Sequence, residues 1–258
     1  MSKENLYCYV VGTAGAGKST LTAAYDRALK QRGLDVITLN LDPGAERLPY
    51  TPDVDIRDWI KISEVMEEHG LGPNGAQVAA ADMVALNLTE VQEELGTFRS
   101  DYVIVDTPGQ VELFVFRESG RFVVQHLNPE RSMVAYLLDP FLARTASGFA
   151  SQLMLGATTQ FRLQVPLAPV LSKADVLSME DLDLITSWSH DADALEDAVI
   201  AETPSMHQQL SVELVRALAT LGGYPGLIHV SSQSGEGFDD LNAAVQSSFF
   251  ASEDLLSD

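Results

Sequence analysis

Between an apolar run, Leu6 to Val11, and a segment with helical spacing stands Gly12-Thr13-Ala14-Gly15-Ala16-Gly17-Lys18-Ser19-Thr20, and no other feature limits this chain's folding as much. It matches G-x-x-x-x-G-K-S at a strand-to-helix junction. Glycines let consecutive backbone N–H groups point inward around an anion, the helix N-terminus adds a favourable dipole, and a lysine supplies a point charge. The segment reads as a phosphate cradle: Thr13, Ala14, Gly15, Ala16 and Gly17 offer backbone, Lys18 reaches β and γ oxygens, Ser19 ligates Mg²⁺, and Thr20 belongs to the same loop.

A loop of this kind needs a layered α/β scaffold, and the rest of the chain supplies one. Apolar runs at Leu6 to Val11, Val36 to Leu41, Tyr102 to Val105, Met133 to Leu138, Ala168 to Leu171 and Leu227 to Val230 are apolar at nearly every position. Strands buried on both faces have that pattern, as parallel sheets require, and helices must then cover both sides. Spacing predicts helices over Lys18 to Gln31, Arg57 to His69, Gln77 to Leu95, Phe141 to Phe161, Ser205 to Leu221 and Gly237 to Phe250. In the fifth, Met206, Leu210, Leu214, Leu218 and Leu221 form one stripe and should pack into the core. The fold expected is α/β, a mostly parallel doubly wound sheet of the P-loop NTPase kind.

A length of 258 residues, 46% hydrophobic and 21% charged, suits one large core. Residues 1–258 are read as a single domain carrying a loop insertion near 70–76 and a helical insertion near 176–225, the latter with apolar spacing around Leu184, Trp188 and Leu195. The last seven residues, Ser252 to Asp258, read as a frayed acidic end. One cysteine, Cys8, excludes a disulfide framework, and His69, His126, His190, His207 and His229 show no metal-ligand spacing. With no stretch near 18 apolar residues and no signal-peptide pattern, a soluble cytoplasmic protein is expected.

Sixteen basic against 37 acidic residues leave a net charge of −21, which repels nucleic-acid backbones and speaks against direct binding to them. A saline cytosol, where self-repulsion is screened, is favoured as the explanation over a specific basic partner.

Further chemistry stands at the ends of the predicted strands. Asp106-Thr107-Pro108-Gly109-Gln110 has the order of the D-x-x-G-Q of GTPases. In that register Asp106 reaches Mg²⁺ through water, the Gly109 N–H holds a γ-phosphate, and Gln110 orients the attacking water. Glu112 is either a second polar group there or a first-turn helix carboxylate. Asp42, before Pro43, either meets the metal's water shell or the lytic water, or closes a strand-terminal turn. Ser172-Lys173-Ala174-Asp175 is a variant of N-K-x-D, in which the Asp accepts from guanine N1–H and the 2-amino group while the Lys stem lies along the base. Ser172 replaces the usual Asn and leaves the loop-bracing role open. Ser232-Gln233 would place a backbone N–H near guanine O6. By composition alone Gly72-Pro73-Asn74 is a turn that caps the helix beginning near Gln77.

Taken in order, the phosphate loop, Leu41-Asp42-Pro43, the stretch Pro49-Tyr50-Thr51-Pro52-Asp53-Val54-Asp55-Ile56-Arg57-Asp58, Gly72-Pro73-Asn74, Asp106 to Glu112 and Ser172 to Asp175 resemble the GPN-loop GTPases, from Val10 to Gly237. The compact length looks like the archaeal single-copy members. That resemblance implies a GTP- and GDP-binding, Mg²⁺-dependent homodimer in which Asn74 of one subunit faces the nucleotide phosphates of the other, doing what an arginine finger does elsewhere. Eukaryotic relatives assist RNA polymerase assembly and nuclear import, so a client protein complex is a further implication. A GTP-loaded adaptor with incidental hydrolysis and a P-loop ATPase or kinase remain the alternatives.

Overall fold

The structure, a computed structural model, describes residues 5–202, 206–220 and 226–255. Its strands are β1 (Leu6–Gly12), β2 (Val36–Asn40), β3 (Val54–Asp55), β4 (Tyr102–Asp106), β5 (Ser132–Leu138), β6 (Leu167–Leu171) and β7 (Ile228–His229). They form one all-parallel sheet in the order β3-β2-β4-β1-β5-β6-β7. The carboxyl ends of all the strands therefore lie along one edge, where open α/β sheets bind ligands.

The helices are α1 (Lys18–Gln31), α2 (Ile62–His69), α3 (Pro73–Leu86), α4 (Leu88–Leu95), α5 (Glu118–His126) and α6 (Pro140–Ala143). After them come α7 (Ala146–Leu163), α8 (Met179–His190), α9 (Ala192–Ala201), α10 (Met206–Thr220) and α11 (Phe238–Leu255). Strand side chains alternate between two cores. Tyr7, Tyr9 and Val11 of β1 join Val84, Val123 and Phe149 on one face. Cys8 and Val10 meet Leu21, Tyr25 and Leu29 of α1 and Phe238, Leu241 and Val245 of α11 on the other. Each such side chain stabilises the fold by about 1.5–3 kcal/mol, and every residue of β2, β4, β5 and β6 is buried. That accounts for the unbroken apolar runs. The Cys8 thiol, wholly enclosed, is pushed up to about 12 and is chemically inert.

Several elements differ from the sequence expectation. The helix expected from Gln77 begins at Pro73, with Gly72 as its N-cap, so the Gly-Pro-Asn triplet forms the first turn itself. Proline is favoured at that position because its missing N–H has no partner to lose there. A break at Asn87 divides the expected Gln77 to Leu95 helix into α3 and α4, and another at Arg144 and Thr145 divides Phe141 to Phe161 into α6 and α7. Arg57 to His69 is a short 3₁₀ turn, Ile56–Asp58, followed by α2. Helix α5 and the two-residue β3 were not expected from the pattern. Between β6 and β7 come α8, α9 and α10, buried through Ile185, Trp188, Leu195, Val199, Val215 and Leu218. Leu210, expected in the core, is exposed, as is Leu184, and the inward stripe of α10 runs through Val215 and Leu218. The expected helix ends at Ser205 and Leu221 lie outside the described residues. Helix α11 continues to Leu255 where a frayed end was expected, and residues 256–258 are likewise outside.

Candidate functional site

Strand β1 ends in the glycine loop, and its neighbour β4 ends in Asp106, with Val10 in register opposite that carboxylate. Gly15 (φ 80°) and Gly17 (φ 97°) take left-handed backbone that other residues rarely adopt, and Gly17 is the N-cap of α1. The loop closes on itself through the Ala16 N–H to the Thr13 carbonyl at 3.1 Å. Thr107 pins the next segment by donating its hydroxyl to the Val10 carbonyl at 2.7 Å.

Lys18 is 6% exposed, and its ammonium donates to the carbonyls of Gly12 (2.9 Å), Thr13 (3.1 Å) and Gly109 (2.7 Å). Burial lowers its pKa while Asp106 and Asp42 pull it back up. All three ammonium protons are thus engaged, and a phosphate oxygen reaching Lys18 must compete with a carbonyl. The Gly109 N–H, read from sequence as a γ-phosphate donor, gives its proton to Asp42 Oδ2 at 3.0 Å. Asp42 Oδ1 accepts from the Gly44 N–H at 2.9 Å. A carboxylate therefore occupies the donor that the sequence assigns to an anion. Burial raises the Asp42 pKa, opposed by those two N–H groups and by Lys18 and Arg57.

Asp106 is 1% exposed. Its Oδ2 accepts the Tyr50 hydroxyl at 3.0 Å, while its buried Oδ1 has no hydrogen-bond partner. Burial lifts its pKa to about 6, against the pull of the Ser19 and Tyr50 hydroxyls; Asp42 adds to the rise and Lys18 opposes it. An orphaned carboxylate oxygen near a serine hydroxyl suits a hydrated Mg²⁺, which prefers one or two protein oxygens and completes its shell with water and phosphate. Ser19 and Asp106 are thus chemically able to hold one. Among the described residues no group of three His, Cys, Asp or Glu forms a metal cage, so a metal bound by side chains alone finds no site there.

The opposite end of the site is built from β6 and the turn after β7. Ser172 donates its hydroxyl to the Leu138 carbonyl at 3.0 Å, so the serine standing in place of asparagine ties the ends of β5 and β6 together. Lys173, in left-handed backbone at φ 50°, crosses the phosphate loop and donates to the Gly15 carbonyl at 2.7 Å. A Cβ at Gly17 would stand 3.3 Å from the Lys173 stem, a second reason for glycine there. Asp175 is exposed on the following 3₁₀ turn, Ala174–Val176. Ser231 organises the last turn, which carries Ser232 and Gln233, its hydroxyl accepting from the N–H groups of Gln233 (3.3 Å) and Ser234 (3.1 Å).

Gln110 and Glu112 are exposed around the buried Val111, which anchors their segment. Asn74 is exposed in the first turn of α3. One turn on, Gln77 lies beside the Asp42 turn, its Nε2 3.6 Å from where a Cβ on Gly44 would be.

Four further residues shape the site without having been singled out individually. Asn40 donates to Asp55 Oδ1 at 2.8 Å and accepts the Asp42 N–H at 3.0 Å, fixing the start of the Asp42 turn. Asp55 in turn receives the Arg57 guanidinium on both oxygens, and Arg57 reaches the Ala45 carbonyl at 2.8 Å. Burial notwithstanding, the Arg57 and Asn40 bonds hold the Asp55 carboxyl below its ordinary range. Tyr50, whose phenol is raised by burial and by Asp106, stays a proton donor. Tyr50, Asp55 and Arg57 lie in the Pro49 to Asp58 stretch, which the sequence marks only as a whole, by its family resemblance.

A family model described as "Conserved hypothetical ATP binding protein" matches residues 10–251. The chain is 31% identical over 247 residues to GPN-loop GTPase PAB0955 of Pyrococcus abyssi, covering 95% of this chain and 98% of that one. It is 29% identical over 244 residues to GPN-loop GTPase 1 of Dictyostelium discoideum, covering 92% of this chain but 60% of the relative. The crystal structure of the P. abyssi protein in its apo form superposes with a TM-score of 0.85 at 30% identity, over 95% of this chain and 97% of that one. The family description speaks of ATP binding, whereas these relatives are named GTPases. With likeness at this level running through almost the whole chain, the protein belongs to the GPN-loop GTPases, P-loop enzymes that hydrolyse GTP.

Proposed function

We propose that this GTPase works as a Mg²⁺-dependent homodimer, each phosphate site completed by Asn74 of the partner subunit. The observation that most supports a catalytic centre here is the pairing of β1 with β4, which sets the Asp106 carboxylate beside the loop that carries Lys18 and Ser19. Backbone from Thr13 to Gly17 and the Lys18 ammonium take up the charge of the β- and γ-phosphates. Ser19 and Asp106 would hold Mg²⁺, which when bound neutralises charge on the phosphate oxygens. Gln110, with Asp42 and Glu112, orients a water for in-line attack on γ-phosphorus; the bond to the β–γ bridging oxygen breaks and GDP leaves with that electron pair. Asp175 accepts from guanine N1–H and the 2-amino group, Lys173 lies along the base, and Ser232 with Gln233 faces O6.

Triphosphate binding and hydrolysis then exchange two sets of contacts. A γ-phosphate takes the Gly109 N–H and a Lys18 proton; its loss returns them to Asp42 and to the Gly109 carbonyl. Such an exchange is a two-state element that the dimer can read. Exposed apolar side chains on the acidic helices, Met179 of α8 and Ile200 of α9, support a role in holding a client protein complex. A surface of net charge −21 suits a saline cytosol.

Competition tests the base assignment. Labelled GTP should be displaced by GDP but not by equimolar ATP, because adenine lacks both donors and a site built around them discriminates by roughly 10⁴ or more. Equal displacement by ATP contradicts the reading.

A further inference from the structure

We propose that Tyr50 is a positioning residue for the metal-binding carboxylate, and that the chain between β2 and β3 is clipped down so as to deliver it. This rests on the reading of Asp106 as a Mg²⁺ ligand. A carboxylate on an aspartate can rotate about its last bond, and its two oxygens exchange places at little cost unless something distinguishes them. In this site something does: Oδ2 takes the Tyr50 hydroxyl at 3.0 Å, and Oδ1 is left buried with no partner. The Tyr50 hydroxyl on Oδ2 fixes the plane of the group and leaves Oδ1, beside the Ser19 hydroxyl, available to a metal.

Tyr50 stands in a connection that has no helix or strand from Leu41 to Asp53, and such a segment adopts one path only when tied. The ties bracket Tyr50. Ahead of it, the Ala45 carbonyl accepts from Arg57 at 2.8 Å. Behind it, Asp53 Oδ2 accepts the Thr38 N–H (2.8 Å) and hydroxyl (3.0 Å), while the Asp53 N–H donates to the Thr38 carbonyl at 2.9 Å. Asp55 then takes Asn40 and the Arg57 fork. These bonds anchor the connection to β2 and to the turn after β3 and brace β3 itself, whereas the Tyr50 hydroxyl reaches the carboxylate at the end of β4. Partners in a second shell that orient a ligating carboxylate commonly govern metal affinity about 10–100-fold.

The test uses the full chain and its Tyr50→Phe variant, which keeps the ring and removes only the hydroxyl. Dissociation of a fluorescent methylanthraniloyl-GDP is followed while free MgCl₂ is varied. In Tyr50→Phe the Mg²⁺ concentration that half-maximally slows release should rise about tenfold. Release in excess EDTA should match the parent, and the melting temperature should stay close to it. A parent-like Mg²⁺ midpoint overturns the positioning role alone. Faster release in EDTA with no change of midpoint assigns Tyr50 to packing and overturns it too. A parent whose GDP release ignores Mg²⁺ overturns the metal reading underneath.

Discussion

Asp106 concentrates the cost of burying a carboxylate in one side chain. Its pKa of about 6 means that between about pH 4 and pH 6 the folded chain holds a proton the unfolded chain has already released. Stability from this group is therefore greatest below pH 4 and is lost as the pH climbs through 6, on the order of 3 kcal/mol in all. Replacing Asp106 by Asn should raise the melting temperature of nucleotide-free protein at pH 7.5 by several degrees, with the gain fading toward pH 4, while Mg²⁺-supported turnover collapses. Scanning calorimetry across that pH range checks it; an equal gain at every pH contradicts the assigned cause. The glycine loop was legible because its spacing is local: Gly15, Gly17, Lys18 and Ser19 fall at one strand-to-helix junction, and Asp106 ends a strand. Tyr50 was not, because what matters about it is the 56-residue separation from Asp106 in the chain, which no local pattern encodes. Asp42 was read as a carboxylate near the reacting end, but not as the partner of the Gly109 N–H.

At the scale of elements, segments that carry their own punctuation were legible and those set by tertiary contact were not. The bounds of α1 agree at both ends because a glycine loop starts it and Arg32-Gly33 stops it. Helix α3 begins earlier than its apolar spacing suggests, since Pro73 and Asn74 carry no apolar signal although the first suits a helix start. Helix α5 is nine residues long and buries Ser119, Gly120, Val123 and Val124, too few apolar positions for a clear stripe. What places it is Gly120. A Cβ there would stand 2.0 Å from the Phe114 carbonyl oxygen, so the helix can pack under the segment that carries Gln110 and Glu112 only without a side chain. Gly120→Ala should destabilise the fold by about 1–3 kcal/mol, as overpacking does, and lower kcat more than nucleotide affinity. Urea unfolding with steady-state kinetics checks both, and parent-like values in the two would remove α5 as the support of that segment.

The whole molecule is a parallel sheet whose loops gather two kinds of chemistry on one edge. The glycine loop and Asp106 follow β1 and β4, and the segments proposed to read the base follow β6 and β7. The sheet itself was readable because strands covered on both faces must be apolar throughout, whereas the order of the strands came only from the structure. Asn74 is exposed in the first turn of α3, and the central claim is that a second chain uses it. Co-expressed Lys18→Met and Asn74→Ala subunits test this most directly. Each variant alone should be nearly inactive: the first loses phosphate binding, and the second withholds Asn74 from its partner. In a random mixture half the dimers pair one of each, and one of their two sites has both an intact loop and an intact Asn74. GTP turnover should therefore recover to about a quarter of the parent's. A mixture no more active than the two variants measured apart would contradict completion of the site across a dimer.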